Sequence, residues 1–344
     1  MSAQRLDRIC IIMMSAVGDA VHVLPVISAI KRDYPQSHIT WVLQAGPASL
    51  VRGHPAVDEI ILFDRTKGVT AFLDISRELR KRSFDLLIDL QVYFKAGLIT
   101  AMSGAKRRLG FDRARARDVN WLFTTERIPP HPMQHVQDQY FEFLAQLGIS
   151  PEPVKWNLGP WPDELEWQRN FVAGIERPIA SIVVATSKAE KDWLPERWAS
   201  VVDILSDKYG LQPVLVGGNS ERERSAAATI MSLSRSKPVS ELGSGLRKLV
   251  SILDASQLVL SPDTGPLHMT VALDRPVISL IGYTDPRRTG PYKKFQDLII
   301  DAFHDPGNSG PITMKTKSDR MSRITVADVE QRLEVWNARY RAKS

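Results

Sequence analysis

Polar side chains that could hold a phosphate group follow an apolar run late in the chain. The run at 258–260 is strand-like, and helix-spaced apolar residues and a second β-branched run at 277–281 come after the polar turn. This order predicts a βαβ unit, whose turn lies at the carboxyl edge of a sheet. A helix that begins there offers unpaired backbone N–H groups to an anion, unless the polar residues only cap it. The candidate phosphate-binding residues are Asp263, Thr264, Gly265 and His268.

A carboxylate occupies the equivalent turn near the start of the chain. The apolar run at 9–14 predicts a buried strand, and it is followed by Gly18, Asp19 and a helix-spaced apolar pattern. At this edge Asp19 could accept a proton from an attacking hydroxyl group, or it could only cap the helix. His22, one turn later, could assist it or line the site. Lys95 follows the strand predicted at 86–90 and belongs to the same edge.

Two further strand ends in the second half of the chain carry polar groups. The strand predicted at 179–185 leads into Thr186, Ser187 and Lys191, just before a helix that Pro195 opens. Hydroxyl and amine groups beside a helix start are typical of a phosphate site, although a lysine-rich loop is the alternative. The strand at 212–216 ends in two glycines followed by Glu221. A carboxylate there could accept hydrogen bonds from ribose hydroxyls, and Glu223 is the alternative.

These runs alternate with helical patterns throughout the chain, which indicates α/β architecture with doubly wound parallel sheets. A Pro-rich stretch without periodicity, SPEPVKWNLGPWPDE, follows a predicted helix at 134–147 and separates the two strand series. The helix predicted at 162–174 could belong to either half. The last segment, 325–341, has apolar residues at three- and four-residue steps and predicts an amphipathic helix.

Composition limits the class of protein and its partners. The chain has 344 residues, 43% of them hydrophobic, with a formal net charge of +6 and one cysteine. This length accommodates two domains, and a lone cysteine in an apolar run suits a reducing cytosol. The run ICIIMM meets Gly18 and Asp19 too soon to span a membrane. The positive charge favours an anionic partner, which could be a phosphorylated sugar, a lipid headgroup or nucleic acid. His131 and His135 have no carboxylate in register, so we expect no essential metal.

A basic run, KRRLGFDRARAR at 106–117, contains six basic residues and one Asp. A solvated positive face is the simplest interpretation. Guanidinium groups also pair well with carboxylates and phosphates, so the run could bind an anionic substrate. A nucleic-acid-binding protein is the rival interpretation, but the run has no interleaved aromatic residue other than Phe111. A nicotinamide-dependent oxidoreductase is a weaker rival, because no G-x-G-x-x-G follows any predicted strand.

The stretch DTGPLHMTVALDRPVISLIGYTDP resembles the C-terminal signature of glycosyltransferase family 9. This family comprises the ADP-heptose:lipopolysaccharide heptosyltransferases, and the sequence is most similar to the heptosyltransferase I branch. The resemblance implies that Asp263, Thr264, Gly265 and His268 hold the diphosphate of a sugar nucleotide. The segment from Thr186 resembles the family's T-T-x-x-x-K-x-W-P element, with one extra residue before the proline. Lys191 falls on its diphosphate-binding lysine, and Glu221 on the ribose-binding position.

The same resemblance assigns residues in the first half. The sequence around Gly18 and Asp19 is similar to the family's N-terminal motif, whose acidic residue is taken as the catalytic base. Lys95 and Arg117 match family positions near the acceptor, and His22 is a further candidate there. The implied fold is GT-B, with two Rossmann-like domains facing a cleft and a C-terminal helix that crosses back to the first domain. The expected boundaries are 1–155, a linker at 156–178, 179–322, and the final helix at 323–344.

The resemblance implies an inverting transfer of heptose from ADP-L-glycero-D-manno-heptose to an anionic inner-core sugar, Kdo or heptose, of lipopolysaccharide. Asp19 would be the general base, and neither a cofactor nor an essential metal is expected. The expected partners are a nucleotide-sugar donor and a lipid A–Kdo acceptor, without nucleic acid. The protein would be cytoplasmic and would contact the anionic inner face of the membrane. Transfer of another sugar to another glycan is the alternative within the family.

Overall fold

The computed structural model describes residues 6–307 and 310–341, which form two compact units. The first unit comprises residues 6–132 and Val136–Leu158, and the second comprises Met133–His135 and the described residues from Gly159 onward. Each unit is built around one parallel six-stranded sheet. The α/β class predicted from alternating strands and helices is therefore confirmed. Within the described ranges, no helix is long and apolar enough to cross a membrane.

The first sheet has the strand order β3-β2-β1-β4-β5-β6. Its central strands are buried on both faces, as continuous apolar runs require. Strand β1 pairs with β2 on one side and with β4 on the other. The strands are β1 (Arg8–Ile12), β2 (His38–Leu43), β3 (Glu59–Leu62), β4 (Leu86–Asp89), β5 (Arg108–Gly110) and β6 (Glu126–Arg127).

Helices connect these strands, and the longest of them follows β1 directly. Ten of its seventeen residues are buried, and the helix packs against the last helix of the unit. The helices are α1 (Val17–Asp33), α2 (Ala45–Val51), α3 (Thr70–Arg80), α4 (Phe94–Met102) and α5 (Val136–Gln146).

The second sheet repeats this arrangement, in the order β12-β11-β10-β7-β8-β9. Counted within its own unit, the order is again 3-2-1-4-5-6, in which the strand order reverses beside the first strand. The short strands β9 and β12 have too few residues for a periodicity argument to detect. The strands are β7 (Ile179–Val183), β8 (Gln212–Val216), β9 (Val239–Ser240), β10 (Leu258–Pro262), β11 (Val277–Ile281) and β12 (Ile299–Asp301).

The helices of the second unit include the one that sequence left unassigned between the two halves. This helix, α6 (Leu165–Ala173), packs on the second unit, where Gln168 donates hydrogen bonds to the Ser251 carbonyl and to Asp254, each at 2.9 Å. The others are α7 (Pro195–Asp207), α8 (Glu221–Leu233), α9 (Leu246–Ala255), α10 (Gly265–Ala272), α11 (Pro286–Thr289) and α12 (Val326–Arg339).

The final helix, α12, is amphipathic as its periodicity predicts, and Thr325 caps it by accepting a hydrogen bond from the Asp328 N–H. Its apolar side chains Val329, Leu333 and Trp336 are buried in the core of the second unit, against α7, β11 and β12. The prediction that this helix crosses back to the first domain is therefore wrong. A helical pattern shows that an apolar face needs a partner, but it does not show which surface supplies one.

We predict that Trp336→Ala destabilises the second unit by about 3–5 kcal/mol, because a fully buried indole would leave a large cavity. Urea unfolding monitored by circular dichroism measures the loss. Asn337→Ala, at the neighbouring exposed position of α12, is the matched control and should change little. Equal unfolding midpoints for the two variants would contradict the placement of α12 in this core.

Candidate active site

The candidate residues cluster where sheets of this topology bind ligands, at the carboxyl ends of the strands that flank the reversal of strand order. In the first unit these strands are β1 and β4, which are followed by Asp19 and Gln91. In the second unit they are β7 and β10, which are followed by Lys191 and Asp263.

Asp19 is the third residue of α1, and both of its carboxylate oxygens accept hydrogen bonds. Oδ2 accepts from the Ala16 N–H at 3.0 Å, and Oδ1 accepts from the Tyr140 hydroxyl at 3.3 Å. The side chain is half-buried, so it remains accessible from one side. Asp19 therefore caps its helix and also presents a carboxylate at the sheet edge, and the two readings of the sequence do not exclude each other.

Gln91 holds the loop that precedes Asp19, and sequence reasoning missed it. Its side-chain oxygen accepts a hydrogen bond from the Met14 N–H, and its amide nitrogen donates to the Ser15 carbonyl, both at 3.1 Å. Its own backbone N–H donates to Asp89 at 3.0 Å. The available sequence signal was that Gln91 is polar and directly follows the strand predicted at 86–90, which contains Asp89.

Asp89 is completely buried beneath this loop. It accepts hydrogen bonds from the Thr100 hydroxyl and the Asn120 amide, each at 3.0 Å, as well as from the Gln91 N–H. Burial nevertheless raises the pKa of the Asp89 carboxyl to about 7, because removal from water disfavours the charged form. The network ties the end of β4 to α4 and to the turn that carries Asn120.

The predicted acceptor residues of the first unit lie in two different environments. His22 is buried, and its Nδ1 lies 3.1 Å from Gln137 Oε1, whose amide donates to the His22 carbonyl at 2.8 Å. This is the environment of a packing histidine. Lys95 and Arg117 are exposed, and the Arg117 N–H donates to the Val92 carbonyl at 2.8 Å. That bond places the Arg117 segment beside the segment that leads to Lys95.

The basic run does not form the continuous positive face that its composition predicts. Arg107 pairs with Glu126 through two bonds of 2.6 and 2.9 Å. Arg108 donates to two backbone carbonyls, and Arg115 is held by two carboxylates. Of the six basic residues of the run, only Lys106, Arg113 and Arg117 are exposed. The pairing residues lie up to 27 positions away, so the local pattern does not reveal them.

Asp263 is the centre of the site in the second unit. Its buried carboxylate accepts hydrogen bonds from the Lys191 ammonium at 2.8 Å, the Thr289 hydroxyl at 3.2 Å and the Thr284 hydroxyl. His268 Nε2 lies 3.8 Å away. Asp263 thus accepts hydrogen bonds from three donors in two segments, which follow β7 and β11. This suits a residue that organises the site rather than one that contacts an anionic ligand directly.

Lys191 is fixed by this carboxylate and still has hydrogen-bonding capacity. Its ammonium donates to Asp263 Oδ2 and to the Asp263 carbonyl at 3.2 Å, which uses two of its three donors. The Lys188 and Lys191 ammonium groups lie 5.4 and 5.9 Å from the ring centroid of Tyr283. One donor of a largely buried cation therefore remains for a ligand oxygen.

Thr186 shapes the loop that carries Lys191. Its N–H donates to Asp192 Oδ1 at 2.6 Å, and its hydroxyl donates to the Lys188 carbonyl at 2.7 Å. Arg222 bonds both to the Thr186 carbonyl and to Asp192. The Thr186 side chain therefore stabilises the turn, whereas Ser187 is exposed. Sequence reasoning did not identify Asp192 or Arg222.

The two candidate ribose-binding carboxylates differ in what they already bind. Glu223 accepts from the Gly218 N–H, the Ser220 N–H and the Ser220 hydroxyl, so it closes a capping box at the start of α8. Glu221 is exposed, and no hydrogen bond to its carboxylate is found in the part of the chain described. The glycines at 217 and 218 lie against Glu223, where a Cβ atom would come within 3.0 Å of its carboxylate.

The start of α10 provides the other half of a phosphate site. Thr264 precedes the helix in an extended conformation, and its side chain makes no capping hydrogen bond within the described chain. Gly265 and Pro266 form the first turn. His268 follows in a buried position, and burial lowers its pKa to about 3, with smaller contributions from His135 and Lys191. The ring is therefore neutral at physiological pH.

His135 falls within residues 1–155, which the sequence assigns to the first domain. It belongs to the short segment Met133–His135 that is part of the second unit. Its Nε2 lies 2.9 Å from the Gly290 carbonyl oxygen, and its ring centroid lies 4.9 Å from that of Tyr292. Among the described residues, no group of three or more His, Cys, Asp or Glu side chains could hold a metal ion.

The comparison with family models identifies the family of this chain. Residues 72–306 match the model of glycosyltransferase family 9 (heptosyltransferase). The chain belongs to glycosyltransferase family 9. The resemblance stated from the sequence is therefore confirmed, and the protein is a glycosyltransferase. The loops described above are thus those of a family 9 enzyme.

Curated relatives align with this family 9 chain over nearly its whole length. A lipopolysaccharide core heptosyltransferase, OpsX, of Haemophilus influenzae is 31% identical over 330 residues, which cover 93% of this chain and 94% of the relative. Lipopolysaccharide heptosyltransferase 1 of Escherichia coli O18:K1:H7 is 26% identical over 342 residues, covering 95% and 97%.

Solved structures show the fold of the enzyme. A family 9 glycosyltransferase from Veillonella parvula superposes with a TM-score of 0.82 at 21% identity, over 97% of this chain and 98% of that one. Escherichia coli heptosyltransferase WaaC with ADP gives a TM-score of 0.74 at 24% identity, over 97% and 99%. The predicted GT-B fold is therefore confirmed.

We predict that His268 makes the family 9 enzyme less stable in mild acid. The unfolded histidine has a pKa near 6.5 and the folded one a pKa of about 3, so protons bind the unfolded state more strongly between these values. Between pH 7 and pH 5 this histidine should cost about 2 kcal/mol of folding free energy. The variant His268→Gln should lack this loss.

Urea unfolding at pH 7 and at pH 5 measures the effect as the difference between wild type and variant. Asn337→Ala, an exposed and non-titrating position that keeps His268, is the control, because its loss between the two pH values should match that of wild type. A His268→Gln variant that loses as much stability as wild type would contradict the neutral buried state.

Proposed function

We propose that this enzyme transfers a heptose from ADP-L-glycero-D-manno-heptose to an anionic inner-core sugar, Kdo or heptose, of lipopolysaccharide. The names of relatives that align over more than nine-tenths of the chain support this assignment. The observation that carries it is the Lys191 ammonium, held by Asp263 with one donor to spare, in the loop that follows β7. A sugar nucleotide presents its diphosphate to such a group.

The donor diphosphate would bind to Lys191 and to the N-terminus of α10 at Thr264 and Gly265. Negative charge grows on the diphosphate as the bond to the sugar breaks, and an ammonium and a helix N-terminus both stabilise it. Exposed Ser187 could donate a further hydrogen bond. These groups supply the charge compensation that a metal ion supplies in other transferases, so we expect catalysis without an essential metal. Neutral His268 would line the site.

The ribose of the donor would contact Glu221. Its carboxylate is exposed at the start of α8, whereas Glu223 already accepts three hydrogen bonds from the turn. A carboxylate in this position can accept hydrogen bonds from both ribose hydroxyls, as in other nucleotide-binding sheets. The choice between the two glutamates therefore rests on hydrogen-bonding capacity.

Asp19 would act as the general base of an inverting displacement. The acceptor hydroxyl oxygen forms a bond to the anomeric carbon, the bond from that carbon to the diphosphate breaks, and the hydroxyl proton passes to Asp19. Bonds from Ala16 and Tyr140 hold the carboxylate in place. Exposed Lys95 and Arg117 would attract the acidic groups of the acceptor. The acceptor is a lipid-linked sugar, which places the reaction at the inner face of the cytoplasmic membrane.

A transfer assay with competing nucleotide sugars tests this proposal. Labelled ADP-heptose should give product on a Kdo-containing acceptor, whereas UDP-glucose and GDP-mannose should not. Thermal-shift measurements should show stabilisation by ADP in preference to UDP or GDP, because a bound ligand raises the apparent stability of the folded state. Transfer from another nucleotide sugar instead would establish the alternative function within the family.

We predict that Asp19→Asn lowers turnover by a factor of at least about 100, because the amide cannot accept the acceptor proton. Binding of ADP, measured by thermal shift, should remain as in wild type. Tyr140→Phe is the control, since it keeps Asp19 and removes only one of its hydrogen bonds. Turnover by Asp19→Asn within threefold of wild type would exclude Asp19 as the base.

We predict opposite defects for the paired variants Glu221→Gln and Glu223→Gln. Glu221→Gln should weaken ADP binding about tenfold, because the amide is a poorer acceptor for two hydroxyls, and should leave stability unchanged. Glu223→Gln should lower stability by about 1 kcal/mol, because the amide keeps only one of the two oxygens that accept hydrogen bonds from Gly218 and Ser220. Calorimetric titration with ADP and urea unfolding measure the two effects. Reversed results would assign the ribose to Glu223.

A further inference from the structure

An exposed apolar patch lies on the first unit, away from its core. It consists of Tyr93, Phe94, Val119 and Leu122, whose exposed fractions range from 44% to 57%. We call these four residues the aromatic patch. Large apolar side chains exposed together require an explanation, whereas single ones do not.

The four residues come from two segments that are bonded to each other. The Asn120 amide donates to the Tyr93 carbonyl at 3.0 Å, and the Arg117 N–H donates to the Val92 carbonyl at 2.8 Å. The rings of Phe94 and Phe123 pack edge to face, with centroids 5.4 Å apart. The start of α4 and the 3₁₀ turn at Asn120–Phe123 therefore form one continuous surface.

The backbone at this turn is held in an uncommon conformation. Asp118 and Val119 have φ values of 50° and 55°, which lie in the left-handed region. A β-branched residue is strongly disfavoured there, and such strain tends to persist at functional sites. Asn120, anchored to the buried carboxylate of Asp89, holds the turn that exposes Val119. The contacts of Asn120 therefore keep Val119 exposed.

Basic side chains lie in the same two segments as the aromatic patch. Two guanidinium groups contact the half-buried Trp121 ring, with Arg113 at 4.5 Å and Arg127 at 5.5 Å from its centroid. Lys95, next to Phe94 in the chain, and Arg117, two residues before Val119, are also exposed. The two segments, 91–95 and 113–127, expose four basic side chains and one acidic one, Asp118.

We propose that the aromatic patch docks on an anionic phospholipid leaflet. Apolar rings and a leucine would enter the boundary between headgroups and acyl chains, while the arginines and the lysine would pair with lipid phosphates. Tryptophan and tyrosine are enriched at that boundary because their rings are amphipathic. A protein partner would have to be acidic around an apolar centre, whereas an anionic leaflet supplies both properties over any area.

This inference rests on the proposed function in one respect, namely that the acceptor is carried by a lipid. Lys95, a proposed acceptor residue, follows Phe94 directly in the chain. Docking through the patch would therefore bring the first unit to the surface that displays the acceptor. In this proposal the patch binds the enzyme to the membrane surface that carries the acceptor. Asp19 and Lys191 take part in the transfer reaction itself.

Vesicle flotation of the full chain tests the proposal. The wild-type protein should float with vesicles of phosphatidylcholine and phosphatidylglycerol, and should bind phosphatidylcholine alone much more weakly. Leu122→Ser should reduce binding to anionic vesicles about tenfold, because a leucine side chain is lost from the acyl boundary. Arg113→Gln and Arg127→Gln should each reduce it about fivefold at low salt.

Leu233→Ser in the second unit is the matched control, because Leu233 is 54% exposed and Leu122 is 57% exposed. It should float like wild type, and thermal unfolding should show that both serine variants are folded. Equal flotation of Leu122→Ser and wild type would overturn the proposal. So would a wild-type dimer in analytical ultracentrifugation that Leu122→Ser abolishes, since a second copy would then cover the patch.

The proposed function and the patch can fail separately. Flotation needs neither donor nor turnover, so an enzyme that uses another sugar nucleotide would still bind vesicles. With an acceptor that lacks acyl chains, Leu122→Ser should keep wild-type transfer rates. With an acceptor embedded in anionic vesicles, its rate should fall about tenfold. An equal loss with both acceptors would place Leu122 in the reaction itself and would overturn the docking role.

Discussion

The ion pair between Lys191 and Asp263 is the interaction on which the donor site depends. Both side chains are largely buried, so each charge is stable there only because the other is present. Removal of one partner from such a pair typically costs about 3–5 kcal/mol, since the remaining charge is uncompensated. The pair also joins the loop after β7 to the loop after β10. Two hydroxyl groups, from Thr284 and Thr289, complete the shell around the carboxylate and fix its orientation.

The two units use one topology for two different kinds of chemistry. Both sheets reverse strand order beside their first strand, so the loops after the two central strands come together at one edge. In the second unit these loops collect a cation and a helix N-terminus, which suit an anionic ligand. In the first unit they collect Asp19, Gln91 and buried Asp89, which suit proton transfer and its support. The side chains at the strand ends, rather than the sheets, distinguish the units.

The sequence predicts the strands and their loops well because buried parallel strands are continuous apolar runs that end in polar turns. Asp19, Lys191 and Asp263 are found at such strand ends for that reason. Contacts between distant segments leave no local signal, so the periodicity of α12 did not show which core covers it. The same holds for Arg115. The local sequence predicts a solvent-exposed charge, whereas in the structure Arg115 forms ion pairs with Asp112 and Glu142. Gln91 was missed because a single glutamine after a strand belongs to no sequence motif that marks it as functional.

The position of Asp19 is set from β4 as much as from its own helix. Its carboxylate binds the Ala16 N–H, and the preceding residues Met14 and Ser15 are both bonded to Gln91. The Gln91 backbone is bonded in turn to Asp89, which also holds Asn120 beneath the aromatic patch. One buried carboxylate therefore supports both the loop of the proposed base and the turn that would meet the membrane. Because these contacts share a rigid strand end, the proposed base and the proposed docking surface keep a fixed relation within the first unit.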